Sequence, residues 1–252
     1  MRLAASSVTV GSDRGRAYLW LCLSASLVAF SGFSITYFGP MLRGEYPPAS
    51  PVVHLHGWAF FLWYGLLPTQ AGLVAVRRVG LHRTLGQASL ILAVVMVATG
   101  LIVVGAQMEL ARLPDGSPFW RFLGPSIFVT LVLFAAFYGL ALWFRKRQAF
   151  HKRLMLLAST GALGAAAFRL AGAVIGFGPE AGAIGLLAPN VLILAAIAVD
   201  MARGGGVHVV FRFGLPASVA LEGGMLLLTP TPPGQVVASV LAWSGRLLAG
   251  LY

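Results

Sequence analysis

Apolar runs near 20 residues long recur along this chain, separated by short loops that carry most of its basic residues, and they leave few folds open to it. A helix rising 1.5 Å per residue needs roughly 20 such residues to cross the hydrocarbon of a bilayer. Residues 17–38, 57–76, 85–106, 122–144, 154–177 and 184–199 qualify, and 207–229 is a weaker seventh. In hydrocarbon each backbone N–H and C=O has to be satisfied within the protein, which a helix does by itself. The expected fold is therefore all-α: an integral membrane bundle with about seven transmembrane helices. Composition agrees, since 10% of residues are charged where a soluble domain has about a quarter.

No polar stretch is long enough to fold apart from the apolar runs, so a single membrane domain is expected. Residues 1–16 form a tail, 17–229 the bundle, and 230–252 an outer segment in which 236–248 is expected to lie along the interface as an amphipathic helix. The first run follows Arg14 and Arg16 as a secretory signal would, but its apolar part is too long for a signal core and no small-residue cleavage site follows.

The formal charge of +11 would suggest nucleic acid in a soluble protein, yet no helix-turn-helix or zinc spacing accompanies the basic residues. They cluster between apolar runs, as topology signals do. If every run crosses, Arg2, Arg14, Arg16, Arg77, Arg78, Arg83, Arg145, Lys146, Arg147, Lys152, Arg153 and Arg203 share one side. Glu45, Glu109, Asp115 and Glu180 fall opposite. The expectation is a cytoplasmic N-terminus and, with seven crossings, an outer C-terminus. The single cysteine, Cys22, excludes a disulfide or thiolate cluster within one chain. Gly172 and Gly176 form a G-x-x-x-G pair that suits close helix packing.

The histidines carry the strongest chemical signal. His82 and His151 each open a helix on the same side, in His-Arg-Thr-Leu-Gly and His-Lys-Arg-Leu-Met. Two imidazoles from two helices are what a b-type haem takes as axial ligands. Helix N-termini favour the neutral, ligating ring, and Arg83 and Lys152 stand next in sequence to pair with propionates. The alternative is that both histidines anchor helix starts among lipid headgroups. His54 and His56, at the outer end of the second run, are either a fragment of a copper or zinc site or a pair with one ring toward the bundle and one toward the interface. Arg169 and Glu222 lie at membrane depth, where charge is costly. They count to similar depth, about 24 and 21 Å from the cytoplasmic side, and are expected to pair, as a structural bridge or a ligand anchor. Asp200 is read as a cap near Arg203, and Gln70 as a hydrogen-bonding partner of another helix.

Other chemistries lack their residues. The chain has no G-x-S-x-G elbow, phosphate-binding glycine loop, H-E-x-x-H or set of desaturase histidine boxes.

From His56 through Gln70, Arg78 and His82-Arg83-x-Leu85-Gly86 to His151-Lys152-Arg153-Leu154-Met155 and Arg169, residues 53–170 resemble a group of bacterial multi-pass membrane proteins of unknown function. They are also distantly similar to cytochrome b-type membrane proteins, in which histidines at helix ends hold haem. The resemblance implies the bacterial inner membrane. Its cytochrome side implies haem b and a redox partner, with His82 and His151 as ligands. The expectation of a different class is a non-enzymatic accessory protein that holds a lipid or small molecule without a cofactor.

Overall fold

In a computed structural model the backbone is described from residue 9 and side chains from Arg16; the tail at 1–8 lies outside the described residues. Helix α1 (Thr9–Phe33) continues through a π-helical turn at Ser34–Phe38 into α2 (Gly39–Arg43). Then follow α3 (Pro51–Ala75), α4 (Val79–Leu110), α5 (Pro118–Trp143), α6 (Gln148–Gly161), α7 (Gly164–Ile175) and α8 (Pro179–Leu187). A 3₁₀ turn at Ala188–Asn190 leads to α9 (Val191–Ala202), and α10 (Val209–Leu228) and α11 (Pro232–Leu247) complete the bundle.

Among the described residues five helical stretches are long and apolar enough to cross a membrane, or six when α6 and α7, bent by 45°, count as one. The run at 57–76 became α3, 25 residues long, which falls short of that apolar standard because Trp58, Trp63, Tyr64, Pro68 and Gln70 dilute it. The outward side chains are those of a protein solvated by lipid. Ile91 is 72% exposed, Trp143 80% and Leu227 77%, which water would penalise and acyl chains do not.

Three of the helix interruptions are met by nearby side chains. Pro68 has no N–H to give the carbonyl of Tyr64, and Ser26 of α1 donates to that oxygen at 2.6 Å. The run at 154–177 breaks after α6, where Leu163 N bonds Thr160 O rather than Ser159 O. The Ser159 carbonyl instead accepts from the Tyr64 hydroxyl at 2.7 Å, while Trp63 donates to the Ser159 hydroxyl. The run at 184–199 is broken likewise. Pro189 ends α8, and the Asn190 amide donates to Leu187 O.

The core lies where α1, α3, α5, α6 and α9 meet, around Trp63, Tyr64, Phe134, Leu157 and Ile193. The C-terminal segment became α11, whose Leu241 and Ala242 pack on Val104 and Met108 of α4. Gly245 lies directly on the Gly105 carbonyl, and Arg246 pairs with Glu109 at 3.4 Å. A Cβ at 245 has no room against that backbone. Gly245→Val is expected to lift α11 from α4 and lower stability by ~1–3 kcal/mol, read as an earlier thermal transition in detergent; an unchanged transition would mean that the two helices do not touch there.

Candidate functional site

The loops at 76–78, 144–147 and 203–208 gather at the end of the bundle where α4, α6 and α10 begin. There the rings of His82, on the first turn of α4, and His151, on the first turn of α6, stand 6.4 Å apart between centroids, at 81° to one another. Each ring is held through Nδ1. His151 Nδ1 lies 2.8 Å from the Ala141 carbonyl, an acceptor only, so Nδ1 carries a proton and donates it. His82 is held by Gln70, one turn before the end of α3. The Gln70 oxygen accepts from Gly86 N at 2.9 Å, and its nitrogen reaches His82 O at 3.1 Å and His82 Nδ1 at 2.6 Å. In that orientation the proton of His82 sits on Nε2. The two rings thus form a pair anchored on different helices, with both Nε2 atoms free of the anchoring bonds.

Two cations follow these histidines in sequence. Arg83 is exposed and acts on His82 through its charge. The Lys152 ammonium lies over the Tyr18 ring, 4.0 Å from the centroid. The same end holds a buried network that sequence reasoning missed. Arg153 pairs with Asp200 through Nη2 at 2.7 Å and Nε at 2.8 Å, and Tyr18 donates to Asp200 at 3.4 Å. Asp200 therefore ties α9 to α6 and α1 rather than only capping a helix. The signal available for it was Arg153 itself, a guanidinium more than a turn into α6 and directly before the apolar run. His208 caps α10 by accepting from Val210 N at 3.2 Å. Burial first, and then the charge of Arg153, hold its imidazole below the usual histidine range, which suits an accepting Nδ1.

At the opposite end His54 and His56 engage different partners. His54 Nδ1 is 2.8 Å from the Tyr37 hydroxyl, and His56 Nδ1 is 3.0 Å from the Thr99 hydroxyl. The two do not share a site, and among the described residues no group of three or more His, Cys, Asp or Glu could hold a metal ion. His56 instead borders a cavity of about 80 Å³ with Phe60, Gly100, Leu131, Phe134 and Ala162. It is mostly apolar and lies beside the α6–α7 break.

Arg169 and Glu222 do not pair. Arg169 donates to Thr36 at 2.6 Å and to Ala165 O at 2.7 Å, and stacks over Phe33 at 4.5 Å. The close fit of Gly32 on the Ala166 backbone brings α7 near enough to α1 for this. Glu222 faces the end of α6 and Asn190 instead. Similar depth along two helices had suggested a bridge, but depth does not say which way a side chain points around the axis.

Comparison with protein-family models, curated proteins and solved structures yields no match, so the chemistry rests on the geometry of the chain itself.

Removing the guanidinium should leave Thr36 and Phe33 without their partner. Arg169→Ala is expected to cost ~1–3 kcal/mol of stability. Combined with Glu222→Gln, the two effects should add within ~0.5 kcal/mol, as for sites that share no partner. Recovery of the loss in the double variant, measured by thermal unfolding in detergent, would restore the ion pair.

Proposed function

We propose that this chain is a b-type haem-binding membrane protein acting in electron transfer, with His82 and His151 as axial ligands. The observation that carries the reading is the 6.4 Å separation of the two rings. Two imidazole–metal bonds of about 2 Å in line put ring centroids roughly 6 Å apart. A pair of imidazoles is an incomplete shell for a lone transition-metal ion, but it completes the coordination of an iron already held by a porphyrin. Bound haem would supply a one-electron carrier at this end of the bundle.

The residues have distinct parts in this reading. Ala141 O fixes the His151 ring with Nε2 available, the usual outer partnership of a ligating histidine. His82 offers Nε2 once its proton moves to Nδ1, and Gln70 then presents its oxygen to that proton by turning its amide. Arg83 is the cation placed to meet a propionate. In the accompanying topology all seven runs cross the bacterial inner membrane, α3 included, with the N-terminus and the histidine pair cytoplasmic, so the redox partner approaches from the cytoplasm. A second reading rests on the cavity beside His56: a non-enzymatic accessory protein that accommodates a small apolar molecule and no cofactor.

Protein expressed with haem available should show reduced-minus-oxidised haem bands that are lost or shifted in His82→Ala and in His151→Ala. Bands absent from the parent, or unchanged in both variants, would discard the haem reading in favour of the cavity. Gln70→Glu, which retains an acceptor for His82 Nδ1, should keep the bands.

The topology has its own test. Reporter fusions after Gly80 and Gly116 should report opposite sides of the membrane, with Gly80 cytoplasmic. The same side for both, or the reverse assignment, would overturn the topology.

A further inference from the structure

Glu222 is 1% exposed, about 21 Å along the α10 axis from His208. Its Oε1 has no hydrogen-bond partner among the described residues, and Asn190 is the polar side chain beside the carboxyl. The carboxyl faces the break that follows α6: a Cβ on Gly161 would lie 3.7 Å from Oε1. Thr160, the preceding residue, is 2% exposed and its hydroxyl is also without a partner. Two orphaned polar atoms therefore occur beside a helix interruption.

Ionisable groups on the elements packed against α10 are engaged elsewhere. On α5, Arg121 donates to Ala111 O and Leu113 O, and Tyr138 bonds Ser89. On α6, His151 bonds Ala141 O, Lys152 covers Tyr18, and Arg153 holds Asp200 of α9. Glu180 of α8 is in its first turn at the far end, and Arg246 of α11 pairs with Glu109. An ionised carboxylate at this depth would be a buried charge with one amide for company, which is far more costly than the neutral acid. A glycine at the break leaves space beside the carboxyl, and an interrupted helix is where polar groups at membrane depth find a path.

We propose that Glu222 is an intramembrane proton-binding site, carried as the neutral carboxylic acid and exchanging its proton at the α6–α7 break beside Asn190 and Thr160. The site is separate from the histidine pair and does not depend on haem. It gives the bundle a group that can take up and release one proton when the break opens.

Infrared spectroscopy of the full-length protein in liposomes tests this directly, because with 7 Asp and Glu in the chain the carboxyl background is small. At neutral pH the spectrum should contain a carboxylic-acid C=O band that shifts down in D₂O, disappears in Glu222→Gln, and does not respond to sodium at constant pH. Gln copies the shape of the neutral acid, so this variant is expected to fold. If it does not, Glu222→Asp keeps an acid in place and should move the band rather than remove it. A parent without the band, a band that survives unchanged in both variants, or loss of the band on adding sodium would overturn the proposal, the last by making this a cation site.

Discussion

A backbone carbonyl released inside an apolar solvent has no water to turn to, and at two places in this bundle a side chain from a neighbouring helix supplies the missing donor. Pro68 frees the carbonyl of Tyr64, and Ser26 takes it. The break after α6 frees the carbonyl of Ser159, and the hydroxyl of Tyr64 takes that. Tyr64 thus accepts through its backbone from α1 and donates through its ring to α6, with 1% of its surface exposed. Van der Waals contact between apolar helices is only weakly selective in lipid, so hydrogen bonds that would otherwise be missing help fix which helices are neighbours. The consequence reaches the site: α3, held against α6 through Tyr64, also carries Gln70, which meets His82 of α4.

The two ends of the bundle solve different electrostatic problems. Where α4, α6 and α10 begin, basic loops reach water while Arg153 and Asp200 neutralise one another at the edge of the core. That ion pair binds α6 to α9 and so fixes the start of the helix that carries His151. At the other end the charges spread out: Arg43 pairs with Glu45 in the open, Glu109 with Arg246, and Arg169 is absorbed by Thr36 on the π turn of α1. A π turn offers a local widening of the helix, and here it places a hydroxyl where a guanidinium on α7 can reach it. Glu222 meets no opposite charge either, and unlike the guanidinium of Arg169 a carboxyl can become neutral by holding a proton, which is why it is read as a neutral acid.

Much of the fold was legible in the sequence because the solvent imposes a length. The run at 85–106 falls within α4, those at 122–144 and 207–229 overrun α5 and α10 by no more than two residues at either end, and the histidines after the basic loops mark helix starts on one end. The breaks were harder to see. Residues 154–177 read as a continuous apolar stretch, and nothing local to Ala162 and Leu163 announces that Ser159 O will be claimed by a tyrosine nearly a hundred residues earlier. The pairing of Arg169 with Glu222 failed for a related reason. Counting residues measures height along an axis, whereas contact depends on rotation about that axis and on which helix lies next to it.

The sequence by itself determined that this chain forms apolar helices, roughly where they begin and end, and which polar residues lie among them, because hydrocarbon thickness and backbone hydrogen bonding act along one segment at a time. Tertiary structure decided which polar residues meet. His82 and His151 face one another through anchors on α3 and α5, His54 and His56 part company, and Glu222 is left at a break. Those outcomes depend on helix rotation and neighbour choice, which are set by the whole bundle together.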